Sequence, residues 1–278
     1  MKKVKNYVVL SILSIGLLTT SCEKENSDLI EDEANAEISE DIIAKLTSLA
    51  FNPSDVALTD FVLPDGSTEK RYMVEGDIAL TKDYIETMEL NGGVQSEQYR
   101  TNNLVSPRTI RVIGYTGGGG FGLTQNNRTG LQWAINNYNR LNLSIRFTLT
   151  FGTNYEPYDM VVYRNPNQNG SGGSAGFPSN GRPNKFVQVY GLDNANPNVN
   201  EHVMTHEIGH SVGFRHTDYF SRQSCGQNQN EGSAGVGAIR IPGTPAGYDP
   251  TSIMLACFSF STNGEFNNND VTALNYLY

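Results

Sequence analysis

Apolar positions change their spacing several times along the chain, and each change predicts an element. Thr109–Tyr115 alternates apolar and polar residues, the period of a strand. Leu131, Ala134, Ile135, Tyr138 and Leu141 recur three and four residues apart, so Thr129–Leu141 predicts an amphipathic helix. Ser144–Phe151, Asp159–Arg164 and Lys185–Tyr190 read as further strands, and Asp270–Leu277 as a closing helix. Pro197–Val212 predicts a longer helix, with Asn196 as its cap and Pro197 at its first position. Upstream, a short helix and a loop are expected between Ile42 and Phe61, and a second helix at Lys82–Leu90. Long loops rich in Gly, Asn and Ser separate the later elements, and no internal repeat is present. The expected fold class is α/β in the α+β sense, with one mixed domain over 106–278.

The first 21 residues have a different character. Lys2, Lys3 and Lys5 precede an apolar run from Tyr7 to Leu18, followed by Thr19, Thr20, Ser21 and Cys22. The run is short for a membrane span, and the basic, apolar, small order is that of an export signal. A cysteine directly after the small residues resembles a bacterial lipobox. Lipid on Cys22 would tether the chain to a membrane without crossing it. Glu23-Lys24-Glu25 resembles a surface-export tag of some lipoproteins. The expected location is therefore exported, at a bacterial outer membrane or cell surface.

Charge then divides the remainder. Residues 23–105 hold 19 acidic against 6 basic side chains, whereas 106–278 hold 10 against 11. The overall acidity belongs to the N-terminal segment, and no basic patch points to nucleic acid. Glu23–Glu40, acidic and without aromatics, reads as a solvated tether. The expected division is signal peptide 1–21, lipid-anchored tether 22–40, pro-segment or N-terminal domain 41–105, and catalytic domain 106–278. With Cys22 assigned to lipid, Cys225 and Cys257 remain, and two cysteines in an exported chain most often pair. Two separate buried thiols are the alternative.

One glycine pattern misleads. Gly117–Gly122 satisfies GxGxxG between a strand and a helix, but no carboxylate stands about twenty residues on to hold a ribose. No dinucleotide cofactor is expected.

The chemistry lies at Thr205–His216. His206 and His210 are four apart and share one helix face, so both imidazoles can reach one ion. Glu207, one step round, can reach water beside that ion without being a ligand. Gly213 can end the helix in the left-handed conformation and return His216 as third ligand. Three protein ligands leave a fourth position open on zinc, the arrangement of a catalytic site. Three of the chain's four histidines enter this one pattern.

These residues match HExxHxxGxxH, and the sequence resembles the metzincin peptidases, most closely the bacterial HEIGH-type metallopeptidases. The resemblance covers roughly 106–278. It implies a twisted sheet above a cleft, the active-site helix beneath it and a small irregular C-terminal subdomain. It also implies Zn2+ on His206, His210 and His216, with Met254 of Ser252-Ile253-Met254 as an apolar floor. Glu207 would be the general base and then the proton donor to the leaving amine. A protein or peptide substrate would lie along an edge strand within Gly172–Pro178. Ala256 stands where astacin-like enzymes carry a tyrosine, and Thr217 after the third histidine fits none of the best-known subfamilies. His202, one turn before His206, reads as a helix-start or supporting residue.

Upstream, Val74-Glu75-Gly76-Asp77 resembles the FxGD latency motif of astacin pro-segments, with Val74 in place of phenylalanine. By that resemblance Asp77 occupies zinc's open position, and a cut within Arg100–Arg108 frees the enzyme. Two rival readings stand beside the endopeptidase: an inactive protease-like binding lipoprotein, and a zinc hydrolase acting on a non-peptide substrate. The sequence sets no oligomeric state.

Overall fold

The acidic N-terminal stretch holds more structure than its composition suggests. In the computed structural model the described residues are 38–88, 99–227, 239–245 and 247–278, with the main chain alone at 239 and 240. The expected signal, Cys22 and the tether as far as Glu37 lie outside them. Helix α1 (Glu40–Ser48) is capped by Ser39 and carries Glu40 and Asp41 in its first turn, where free N–H groups favour anions. Strands β1 (Ala57–Val62), β2 (Thr68–Val74) and β3 (Ile78–Leu80) then form an antiparallel meander, followed by helix α2 (Lys82–Thr87). This corrects the loop expected up to Phe61. The charged run Thr68-Glu69-Lys70-Arg71 hides the strand alternation, because Arg71 is itself buried over the Phe61 ring, 3.8 Å from its centroid.

A short strand β4 (Tyr99–Arg100) leads into the larger sheet. Its strands are β5 (Arg108–Tyr115), β6 (Ile145–Gly152), β7 (Met160–Arg164), β8 (Gly172–Ser174) and β9 (Phe186–Tyr190), in the order β6-β5-β7-β9-β8. All neighbours are parallel except β8, which runs antiparallel to β9 and forms an edge. Met160-Val161-Val162-Tyr163 is buried on both faces, as a central parallel strand requires. On one face Ile110, Val112, Met160, Val162, Val187 and Val189 meet helices α3 (Gln125–Asn139) and α4 (Pro197–Val212). The other face carries Ile113, Val161 and Tyr163 among aromatic side chains, and the Tyr163 hydroxyl donates to Val62 O of β1 at 2.7 Å. The fold is mixed α/β, with β10 (Ile239–Arg240) pairing with β4 and helix α5 (Asn268–Leu277) closing the chain. Among the described residues no helix is long and apolar enough to cross a membrane.

Helix α3 starts four residues before the expected Thr129. Thr124 and Asn127 form a reciprocal capping box, which turns the polar run Gln125-Asn126-Asn127 into a first turn. The same Asn127 donates to Asn200 of α4 at 2.6 Å, and the Tyr138 hydroxyl donates to Thr205 O at 2.8 Å. These buried bonds fix α4 beneath the sheet. The helices approach closely at Gly130, where an added Cβ would sit 2.7 Å from Glu201 N. Gly130→Ala is expected to cost about 1–3 kcal/mol by overpacking. Chemical denaturation measures it, and an unchanged midpoint would contradict the close approach.

Candidate metal centre

Helix α4 presents its histidines through its ends. Asn196 accepts from Val199 N, Pro197 stands in the first turn, and Gly213 ends the helix at φ 116°, a conformation that favours glycine. The reversal at Gly213 brings His216 back over the helix. His216 Nε2 lies 3.2 Å from His210 Nε2 and 3.3 Å from His206 Nε2. The Nδ1 atoms face outward: that of His206 lies 2.8 Å from Ile253 O, and that of His210 lies 2.8 Å from Phe214 O. A carbonyl only accepts, so both Nδ1 atoms carry the proton and both Nε2 lone pairs point inward.

Asp77 enters this group from the turn between β2 and β3. Its Oδ2 is 3.0 Å from His216 Nε2 and 3.3 Å from His206 Nε2, and its Oδ1 is 3.8 Å from His210 Nε2. One ligand atom from each of these four residues lies within 4.8 Å of the others. Burial works against charge on Asp77, but the charge of His216 outweighs it and holds the carboxyl below the usual range. Burial likewise opposes a charge on His216, yet Asp77 and Glu75 raise its pKa to about 10. Burial, and then His206, hold His210 well below the ordinary imidazole value. Glu207 is raised well above an ordinary carboxyl, first by burial and then by the charge of Asp77. Its carboxyl packs against bare backbone on the edge strand: a Cβ on Gly173 would lie 2.7 Å from Glu207 Oε1. Among the described residues, Glu207 Oε2 has no hydrogen-bond partner. A cleft of about 360 Å³ opens beside it, lined by Gly172, Tyr190, His202, Leu255 and Phe258.

A family model described as "Dual-action HEIGH metallo-peptidase" matches residues 72–278. The chain belongs to this family. The match of this HEIGH metallopeptidase begins at Tyr72, so it takes in Glu75 and Asp77 as well as the histidines. Among solved structures, two of myroilysin are similar. One is 15% identical, covering 61% of this chain and 80% of its own, with a TM-score of 0.38. The other is 17% identical, covering 66% and 90%, with a TM-score of 0.34. No curated protein matches the sequence.

The HEIGH metallopeptidase braces its site with residues that have no motif. Met254 lies under the helix, where a Cβ on Gly209 would sit 2.5 Å from its sulfur, and Met254 O accepts from Thr217 N at 2.8 Å. Asp270 of α5 holds the methionine turn, accepting from Ser252 Oγ at 2.7 Å and Ile253 N at 3.0 Å. Asp218 accepts from Ala256 N and Ser224 N, both at 2.9 Å, tying the loop after His216 to the same turn. Glu75 bonds Arg215 at 2.7 Å and His216 Nδ1 at 3.2 Å. Sequence reasoning missed the roles of Asp218, Asp270 and Glu75. For Asp218 and Glu75 the one available signal was a carboxylate close to a motif residue. His202 is no member of the metal-ligand group, and its Nδ1 lies 2.8 Å from Thr262 Oγ1. Cys22 falls outside the described residues.

The stretch Arg100–Arg108, where a processing cut is expected, is bound into the fold at its N-terminal end. Tyr99 O accepts from Arg215 N at 2.9 Å, Thr101 N donates to Gly213 O at 2.8 Å, and Val105 is buried. Cys225 and Cys257 are joined as a disulfide, with Cα atoms 5.1 Å apart and a sequence separation of 32. Closing a loop of that length contributes about 3–4 kcal/mol. Cys257→Ser is expected to lower the unfolding free energy by roughly that amount. A non-reduced peptide map checks the linkage itself, and two alkylatable thiols would contradict it.

Proposed function

We propose that this metallopeptidase is a zinc-dependent endopeptidase with Glu207 as its general base, held latent by Asp77. The observation that carries the reading is the convergence of the three Nε2 atoms with their Nδ1 atoms committed elsewhere. Tetrahedral zinc with Zn–N bonds of about 2.05 Å needs ligand nitrogens about 3.3 Å apart. The separations of 3.2 and 3.3 Å fit that demand. Nitrogen and carboxylate donors also suit zinc's chemistry. When bound, the ion lowers the pKa of its water to about 7 and polarises the scissile carbonyl.

The remaining steps belong to the chain. Glu207, free at Oε2 and facing the cleft, takes a proton from the attacking water and passes it to the leaving nitrogen. Gly172–Ser174 offers an edge on which a peptide can add as a strand. The N-terminal segment bonds just past that edge: Ala175 N donates to Asp77 O at 3.0 Å, and Ala79 N donates to Ala175 O at 2.8 Å. Asp77 stands where the fourth ligand belongs, so it competes with water. Its hairpin lies beside the substrate edge. Export and a lipid anchor at Cys22 complete the reading, and they rest on the sequence of the first 25 residues alone.

Glu207→Ala is expected to keep zinc while losing casein hydrolysis, whereas His210→Ala loses both. Zinc content and turnover are measured side by side. Near wild-type turnover in Glu207→Ala would sink the mechanism. Latency has a separate signature. The uncut full-length protein should be nearly inactive, and Asp77→Ala should make it active without processing. Equal turnover of the two uncut proteins would rule out Asp77 as the latency ligand.

A further inference from the structure

The three imidazoles are held at Nδ1 by different kinds of partner. His206 and His210 are held by main-chain carbonyls of Ile253 and Phe214, both within the catalytic part. His216 sits beyond the helix end, and its Nδ1 partner is the carboxylate of Glu75, 141 residues upstream. We propose that Glu75 is a positioning residue of the metal centre, so that the N-terminal segment supplies part of the active site as well as its cover. The inference rests on the metal centre proposed above.

The geometry separates the two carboxylates of the turn. Asp77 faces the inward nitrogens, where it competes with water. Glu75 faces the outward nitrogen of His216, where it competes with nothing in catalysis. A carboxylate on the outer nitrogen of a ligating histidine fixes its tautomer and ring orientation and raises its basicity. The turn is built to deliver both groups. Glu75 at φ 54° and Gly76 at φ 89° are both left-handed, and a non-glycine residue held there at a site is a strained feature retained by its surroundings.

Glu75 is in turn held from both parts of the chain. It is 3% exposed and pairs with Arg215, which is 1% exposed and precedes His216 in sequence. Arg215 also donates to Leu49 O at 3.0 Å and Ala50 O at 2.8 Å, and its guanidinium lies 4.1 Å from the Phe51 ring centroid. Arg222 adds a bond to Glu75 O at 3.1 Å and pairs with Asp55 at 2.7 Å. Shedding residues 38–88 would therefore strip carbonyls, a ring and a carboxylate from a buried guanidinium, and a carboxylate from the third ligand. The segment is also packed: Ile42, Leu46, Val74, Ile78, Leu80 and Ile85 form one apolar cluster with Phe177, just past the sheet edge. The active species thus keeps residues 38–88, and activation displaces Asp77 locally.

The test uses the full-length chain in an Asp77→Ala background, so that latency does not obscure the readout. Zinc affinity is measured by competition with a chromophoric chelator, and ligand geometry by the visible spectrum of the Co2+-loaded protein. Glu75→Ala is expected to weaken zinc binding about 10–100-fold and to alter the Co2+ spectrum. Glu75→Gln, which keeps an oxygen acceptor, should fall between. Leu46→Ala, which loosens the same segment away from the site, should lower the unfolding midpoint and leave zinc affinity unchanged. Wild-type zinc affinity and an unchanged spectrum in Glu75→Ala would overturn the proposal, as would an active species that has lost residues 38–88 yet binds zinc with full affinity. If His210→Ala also binds zinc normally, it is the metal centre itself that fails.

Discussion

The site depends on one reversal of the backbone. At Gly213 the chain leaves α4 through a conformation that a side chain would strain, and within three residues it has turned back on itself. That reversal does several things together. It aims Phe214 O at His210 Nδ1, lays Gly213 O against Thr101 N, and carries His216 over the two helical histidines. A Cβ at Gly213 would also meet Leu104 Cδ2 at 2.9 Å and Asn103 O at 3.1 Å, so the segment between β4 and β5 closes on the same point. Helix, sheet entry and third histidine are registered to one another by a residue that has no side chain.

Around that point the molecule is organised as two shells of acceptors. The inner one faces the convergent Nε2 atoms and contains Asp77. The outer one holds the imidazole rings from behind with Ile253 O, Phe214 O and Glu75. Asp218 and Asp270 sit one step further out and hold the loops that supply the outer shell. Carboxylates in such a buried place survive because each meets donors or a cation, which offsets the loss of water. The strand bond of Ala79 and Ala175 adds a backbone component to the docking of the N-terminal segment. Covalent attachment gives that segment a high effective concentration at the edge it bonds.

Much of this was legible in the sequence, for local reasons. Helix α4 was read with the bounds it has, because its start and stop signals, Asn196, Pro197 and Gly213, lie at its own ends. The five strands of the large sheet were harder. Four show as apolar alternation or apolar runs, whereas the edge strand Gly172–Ser174 has neither and is placed only by resemblance. The N-terminal meander was missed because Arg71, Glu69 and Lys70 look like solvated surface, while Arg71 is in fact stacked on Phe61. Asp218, Asp270 and Glu75 escaped for a different reason. Their partners lie 38, 17 and 141 residues away, and a single sequence does not reveal which distant donor a carboxylate will meet.

That long separation also has a meaning in time. Glu75 and Arg215 are 140 residues apart, and translation adds about 5–20 residues per second, so the carboxylate waits on the order of ten seconds for its guanidinium. Until then the hairpin that bears Glu75 and Asp77 can settle only on earlier surfaces, at Ala175 and Phe177, and Glu75 is without Arg215. When Arg215 does emerge, His216 follows it at once, so the last of the three histidines and the anchor of the covering hairpin become available together. Chain order thus synchronises completion of the histidine group with anchoring of the turn that carries Asp77.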